Sequence, residues 1–256
     1  MTFNARTLAS AAVAACSLAA PLAHAQVTLK PDNTWRYLFT AGANATSGNS
    51  SSSALNLQVE GVRLSDNDKW SFNGQLQSAR NNGTTTSERY LAGTQYNRDI
   101  SGRMFGFGSA DFLRDELANI NSRSTLAGGL GLHLVESERH TFDVRTGLAY
   151  TQDSYVNAAL VDGEFRDRYG RAELVLGEES NHKLTETATF QQKLTVFPNL
   201  RDSGQRRAVF DTKISVAMTK SLNLTAGLSM RYNSDPGNNL KTTDTALVTG
   251  VSWRFD

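Results

Sequence analysis

Apolar and polar residues alternate with a period of two along most of this chain. In the segment 222–232 every second residue is apolar: Leu222, Leu224, Ala226, Leu228, Met230 and Tyr232. The residues between them, Asn223, Thr225, Gly227, Ser229 and Arg231, are not. A helix repeats every 3.6 residues and cannot produce this; an extended strand with one apolar face does. The same pattern sets Phe142, Val144, Leu148 and Tyr150 against Asp143, Arg145, Gly147 and Thr151, and Trp70, Phe72 and Leu76 against Ser71, Asn73, Gln75 and Gln77. Applied along the chain, it predicts about twelve strands, with ten or fourteen left open. They fall at 35–44, 54–64, 69–80, 89–98, 103–114, 124–135, 140–152, 165–178, 184–196, 206–218, 222–232 and 242–255. The segment 103–114 fits least well, with Phe105 and Phe107 on one face and Met104 and Phe112 on the other.

The connections alternate in length. Short ones are expected at 65–67, 100–102, 136–139, 179–183 and 219–221, and longer ones at 45–53, 81–88, 115–123, 153–164, 197–205 and 233–241. Tight turns at one end and longer loops at the other are the pattern of an up-and-down transmembrane β-barrel of the bacterial outer membrane. All four prolines, Pro21, Pro31, Pro198 and Pro236, avoid the strand interiors, as a ladder that needs every N–H requires. The fold class expected is all-β, a closed antiparallel barrel whose last strand pairs with its first, because lipid tolerates no unpaired edge. Apolar residues would face lipid and polar ones the lumen. Trp35, Tyr37, Trp70, Tyr90, Tyr96, Tyr150, Tyr169, Tyr232 and Trp253 would form the interfacial girdles. A soluble β-sandwich or lipocalin-like barrel is the competing architecture, since a buried face also alternates.

Composition taken alone points elsewhere. The 256 residues are 39% hydrophobic and 20% charged, with mean hydropathy −0.40, an average typical of a soluble globular chain. Beyond residue 25 no apolar run approaches ~18 residues, which excludes a bundle of transmembrane helices but not a barrel. The first 25 residues form a secretory signal: a short n-region with Arg6, an apolar stretch over 7–22, and a small-x-small site at Ala23-His24-Ala25. Cleavage before Gln26 leaves one domain, 26–256. Cys16 sits in a lipobox-like setting, the alternative being lipid anchoring at that residue. It is the sole cysteine, so no disulfide forms. Loss of Arg6 leaves 25 basic and 25 acidic residues in one neutral mature chain. No basic block remains to bind nucleic acid.

The region 35–255 resembles the family of salt-induced outer-membrane proteins, domain of unknown function 481. The resemblance rests on Thr46-Ser47-Gly48-Asn49 followed by Ala54-Leu55-Asn56-Leu57, on Glu88-Arg89-Tyr90, on Tyr232-Asn233-Ser234-Asp235-Pro236 and on Lys241-Thr242-Thr243-Asp244-Thr245, in that order. It implies an outer-membrane barrel associated with salt response, with no defined substrate, cofactor or catalytic residues. The partners expected of an outer-membrane barrel are outer-membrane lipids, lipopolysaccharide and, during insertion, the barrel assembly machinery, with the protein a monomer. Outer-membrane barrels usually end on an aromatic residue; here Asp256 follows Phe255.

Little chemistry is visible. His133 is expected in the lumen, and His140 and His182 in or beside turns; none pairs with a serine in a catalytic pattern. A lipid-modifying enzyme built around His133 is the competing function. No zinc-ligand spacing is present, while Asp153, Asp162, Glu164 and Asp167 are read as solvated loop acids, the alternative being that they take a Ca²⁺ ion or bridge lipopolysaccharide through a divalent ion. Gly128-Gly129-Leu130-Gly131 lies in a strand and marks curvature or close packing. Projection of the alternation puts Glu60, Asp143, Arg145, Arg171, Glu173, Asp211, Lys213, Arg231 and Arg254 in the lumen. They either line a pore that filters small solutes or pair across strands and fill a narrow barrel. Both signs are present, which argues against a strongly ion-selective pore.

Overall fold

The computed structural model describes residues 31–47, 51–202, 204–237 and 240–255. The signal segment, Cys16 and Asp256 lie outside the described residues. Twelve strands follow one another: β1 (Trp35–Thr46), β2 (Ser52–Leu64), β3 (Asp68–Asn81), β4 (Thr84–Ser101), β5 (Met104–Asp115), β6 (Ile120–Glu136), β7 (His140–Val161), β8 (Glu164–Lys183), β9 (Ala188–Pro198), β10 (Arg206–Ala217), β11 (Leu222–Asn233) and β12 (Thr243–Phe255). Each pairs antiparallel with its sequence neighbour, and β12 returns to β1, closing the barrel. The closing register sets Phe39 opposite Trp253, with the Thr40 and Ser252 hydroxyls 2.7 Å apart inside.

The two faces are inverted relative to a soluble protein. On the outer wall Leu126 is 64% and Leu148 61% exposed, whereas inside Thr151 and Glu173 are fully buried. At the end that carries the start of β1 and the end of β12, called here the turn end, Trp35 stacks on Tyr37 with ring centroids 6.1 Å apart. Trp35 also lies 6.1 Å from Trp70, which meets Tyr96 edge-on at the same distance. Arg63 covers Trp35 and Trp70 at 5.8 Å from each ring. Such an aromatic belt suits a boundary between apolar and aqueous phases.

Two connections expected to be long loops are two-residue hairpins. Asn82-Gly83 and Asp162-Gly163 both adopt positive φ at each residue. This is the turn whose twist matches that of paired strands, and Asn-Gly and Asp-Gly are its favoured sequences. The polar stretch 84–88 and the mostly apolar stretch 154–161 are therefore strand, and β7 and β8 grow to 22 and 20 residues. Their tip packs inward: Ala159, Val161 and Tyr169 form a buried cluster with Tyr155. Tyr169, expected in the outer girdle, is thus an interior residue, placed by the alternation of β8 on the same face as Arg171 and Glu173.

Following hydrogen-bonded partners once around the ring returns to β1 roughly sixteen residues further along, which corresponds to a strand tilt of about 45° and a backbone radius of about 12 Å for a circular barrel. Phe105 and Phe107 turn inward and lie over Gly131 and Gly129 of β6, sites where a Cβ would come within 2.2 Å and 2.9 Å of those rings. A Cβ on Gly129 would also stand 2.2 Å from the Thr146 carbonyl oxygen. These glycines let β5, β6 and β7 curve tightly around two rings. Gly129→Val should therefore cost about 3 kcal/mol and reduce the heat-modifiable, folded band on electrophoresis. Gly108→Val, where a Cβ meets nothing within 4 Å, should leave that band unchanged.

Candidate functional site: the charged lumen

Inward positions carry two belts of charge, separated along the barrel axis by roughly 15 Å when counted along the register. The belt nearer the turn end bridges the lumen. Lys213 on β10 donates to both carboxylate oxygens of Glu60 on β2, at 2.7 and 2.9 Å. Lys69 on β3 donates to Glu179 on β8 at 3.1 Å. Arg145 on β7 donates to Gln95 on β4 at 2.9 Å and to Thr195 on β9 at 3.0 Å, with its guanidinium 5.6 Å from the Phe107 ring. In a circular barrel β3 and β8 would stand more than about 20 Å apart. A lysine and a glutamate joined head to head span roughly 14 Å. The barrel is therefore flattened at this level, and the ion pairs hold its broad walls together.

The second belt is denser and drier. Arg123 grips Asp153 with two bonds of 2.6 and 2.7 Å, and Arg171 bonds the same carboxylate at 2.9 Å and Glu173 at 3.0 Å. Arg207 closes the chain on Glu173 at 2.6 and 3.0 Å, and Thr151 donates to that carboxylate at 2.6 Å. Arg207 also lies 4.7 Å over Phe197. Every side chain in this set is at most 13% exposed. The void beside it, lined by Asn199, Gln205 and Asp235 as well, measures ≈ 10 Å³, room for about one water. On the facing wall Arg89 pairs with Asp115 at 2.5 Å and reaches Asp244 of β12 at 3.5 Å.

The nine charges projected from the sequence divide as follows. Glu60 and Lys213 meet across the lumen. Arg171 and Glu173 are bonded within the second belt. Asp143 accepts from His133 Nδ1 at 2.7 Å, and Arg145 lies one inward step along β7. Arg231 donates to Asp211 at 2.9 Å. Arg254 lies opposite Leu38, on the face of Ser252.

Sequence reasoning did not single out Lys69, Arg89, Asp115, Arg123, Glu179 or Arg207. Lys69 is legible from alternation, two residues from inward Ser71, whereas Glu179 falls in the expected connection 179–183, which is strand because β8 runs on to Lys183. Asp153 was read as a loop acid beside Asp162, Glu164 and Asp167. It is instead a buried strand residue, because β7 continues past it, so these acids do not converge on one cation site. Asp162 and Glu164 lie near Arg166 instead, at 3.9 and 2.8 Å. His133 faces the lumen near the turn end. Its ring bonds, among the described residues, to the carboxylates of Asp143 and Asp99, at 2.7 and 3.4 Å, and lies on Phe105.

A family model described as "Protein of unknown function, DUF481" matches residues 39–255, nearly the whole barrel. The chain belongs to this family. It is also similar to the uncharacterized protein YdiY of Escherichia coli K12, with 26% identity over 199 residues, 77% of this chain and 73% of that protein. Among solved structures, it is similar to the NanC porin, with a TM-score of 0.47, 11% identity, and 85% of this chain against 96% of that one. A second is the translocator domain of the autotransporter NalP from Neisseria meningitidis, with a TM-score of 0.44, 15% identity, and 89% of this chain against 91% of that one.

Glu173 is the hub of the dry belt, since it bonds Arg207 directly and shares Arg171 with Asp153. Removing one partner of a buried ion pair strands the other charge. Glu173→Ala should destabilise the folded barrel by about 3–5 kcal/mol, read as a lower urea midpoint in detergent or lipid. Glu164→Ala, at the exposed hairpin tip, should leave the midpoint within about 0.5 kcal/mol.

Proposed function

We propose that this chain is a non-enzymatic bacterial outer-membrane barrel that provides a narrow, weakly selective passage for small polar solutes. The supporting observation is the state of the bridging belt. The side chains of Glu60, Lys213, Lys69 and Glu179 cross the lumen yet keep 19–32% of their surface in contact with solvent. Charged heads that meet in a wet lumen can exchange a partner for water at modest cost, unlike those of the dry belt. The bridges constrict the passage, and their mixed sign leaves it without a strong preference between anions and cations.

The outward apolar wall and the aromatic cluster at the turn end support residence in a membrane. Export through the 1–25 signal, insertion by the barrel assembly machinery, and a monomer surrounded by lipid and lipopolysaccharide belong to the same proposal. So does engagement of this passage under ionic or osmotic stress.

Planar-bilayer recordings of the purified barrel test the reading. The wild type should show a small conductance with little ion selectivity, and Glu60→Ala combined with Lys213→Ala should raise it several-fold. Absence of conductance above background in both proteins, each with heat-modifiable migration, overturns the passage and leaves a sealed envelope barrel. Recovery in an osmotic-shock supernatant, rather than in salt-washed membranes, overturns the location.

A further inference from the structure

The histidines His140 and His182 have no place in the lumen chemistry. They are direct cross-strand partners at the turn-end rim, where β7 begins and β8 ends. Their residues share the outward face of Leu148 and Leu176, away from the lumen. The two Nδ1 atoms approach to 3.0 Å, with ring centroids 5.2 Å apart and planes inclined by 55°. Phe190 packs beside His182 at 6.0 Å between centroids. The register brings the rings together: the two Cα atoms are paired, so both side chains leave the sheet on one side with nothing between them.

We propose that His140 and His182 form a binding site for a divalent transition-metal ion at the rim of the barrel. Two neutral imidazoles that face each other through Nδ1 oppose two lone pairs unless one nitrogen carries the proton. A metal ion placed between them replaces that repulsion with two bonds. Metal–imidazole bonds of about 2.1 Å from nitrogens 3.0 Å apart subtend roughly 90° at the metal. This is the angle between neighbouring ligands in octahedral or tetragonal sites, which favours Ni²⁺ and Cu²⁺ and fits Zn²⁺ after a few tenths of an ångström of opening. Water completes the coordination on the exposed side. The paired strands fix the spacing before the ion arrives, so binding costs little ordering. The site needs neutral imidazoles, so protons compete with the metal and binding weakens as the pH is lowered.

The test titrates Ni²⁺, Cu²⁺ and Zn²⁺ separately into the full mature barrel, purified without a polyhistidine tag and folded in detergent. Calorimetry gives the affinity, and electron paramagnetic resonance of the Cu²⁺ form counts coordinated nitrogens. The expected result is one site per barrel with two imidazole nitrogens. His140→Ala or His182→Ala should each weaken it by about tenfold or more, and His133→Ala should leave it unchanged. Both rim variants alter an exposed end of a ladder and should keep heat-modifiable migration, which confirms that the barrel is intact. Binding by the wild type no tighter than by the His140→Ala/His182→Ala double variant overturns the proposal. So does a Cu²⁺ spectrum with a single nitrogen, or an equal loss in His133→Ala.

Discussion

The pairing of β12 with β1 is the constraint on which the rest of this structure depends. A row of unpaired N–H and C=O groups costs several kcal/mol per group in a medium without water, so the sheet must close or fail. Closure fixes the circumference at twelve strands, and the register fixes the tilt. Together they decide which residues share a height inside. Glu60 and Lys213 are far apart in the chain and on strands that never touch. They meet because the closed register brings them level and the flattened wall brings them close.

Closure also inverts the usual relation between burial and polarity. The apolar half of each strand is turned outward, so the enclosed space is lined by what remains: carboxylates, guanidiniums, ammoniums, amides and hydroxyls. Buried charge is tolerated only with partners, and the two belts supply them differently. In the dry belt, Arg123, Asp153, Arg171, Glu173 and Arg207 alternate in sign along a continuous chain of short bonds. In the bridging belt, the pairs Lys69–Glu179 and Lys213–Glu60 span the lumen and keep more of their surface accessible than the dry belt does. The first arrangement ties β6, β7, β8 and β10 together along one wall; the second joins opposite walls.

Aromatic residues divide by the same logic. Trp35, Trp70 and Tyr96 cluster outside, where an apolar ring with a polar edge suits a boundary. Phe105 and Phe107 go inside because Gly131 and Gly129 leave hollows in the opposing strand. The residue type is similar in both places, and the neighbour across the sheet decides. This is why 103–114 fitted the alternation least well: its inward face carries two phenylalanines where other strands carry polar groups.

The alternation by itself pointed to about twelve strands and, within each recognised strand, to which side chains share a face, since side-chain direction in a strand depends only on parity; Tyr169 and Asp153 escaped it, the one expected outside and the other in a loop. The resemblance named the family for the same local reasons. Local chemistry also holds two further facts, the Asn82-Gly83 and Asp162-Gly163 hairpins: both dipeptides favour the two-residue turn, although the polar run after Gly83 resembles loop and Ser154–Val161 breaks the alternation of β7. What only the tertiary structure decided is which inward charges meet. Parity places Lys213 and Glu60 inside but says nothing about height, flattening or reach, because these follow from the tilt and shear of the closed sheet. The same holds for Asp153, whose partners lie on β6 and β8 once β7 runs past it. It holds too for His140 and His182, ordinary turn residues in the sequence until the β7–β8 register brought their Nδ1 atoms together. Direction is a property of one strand, whereas contact across a barrel is a property of all twelve.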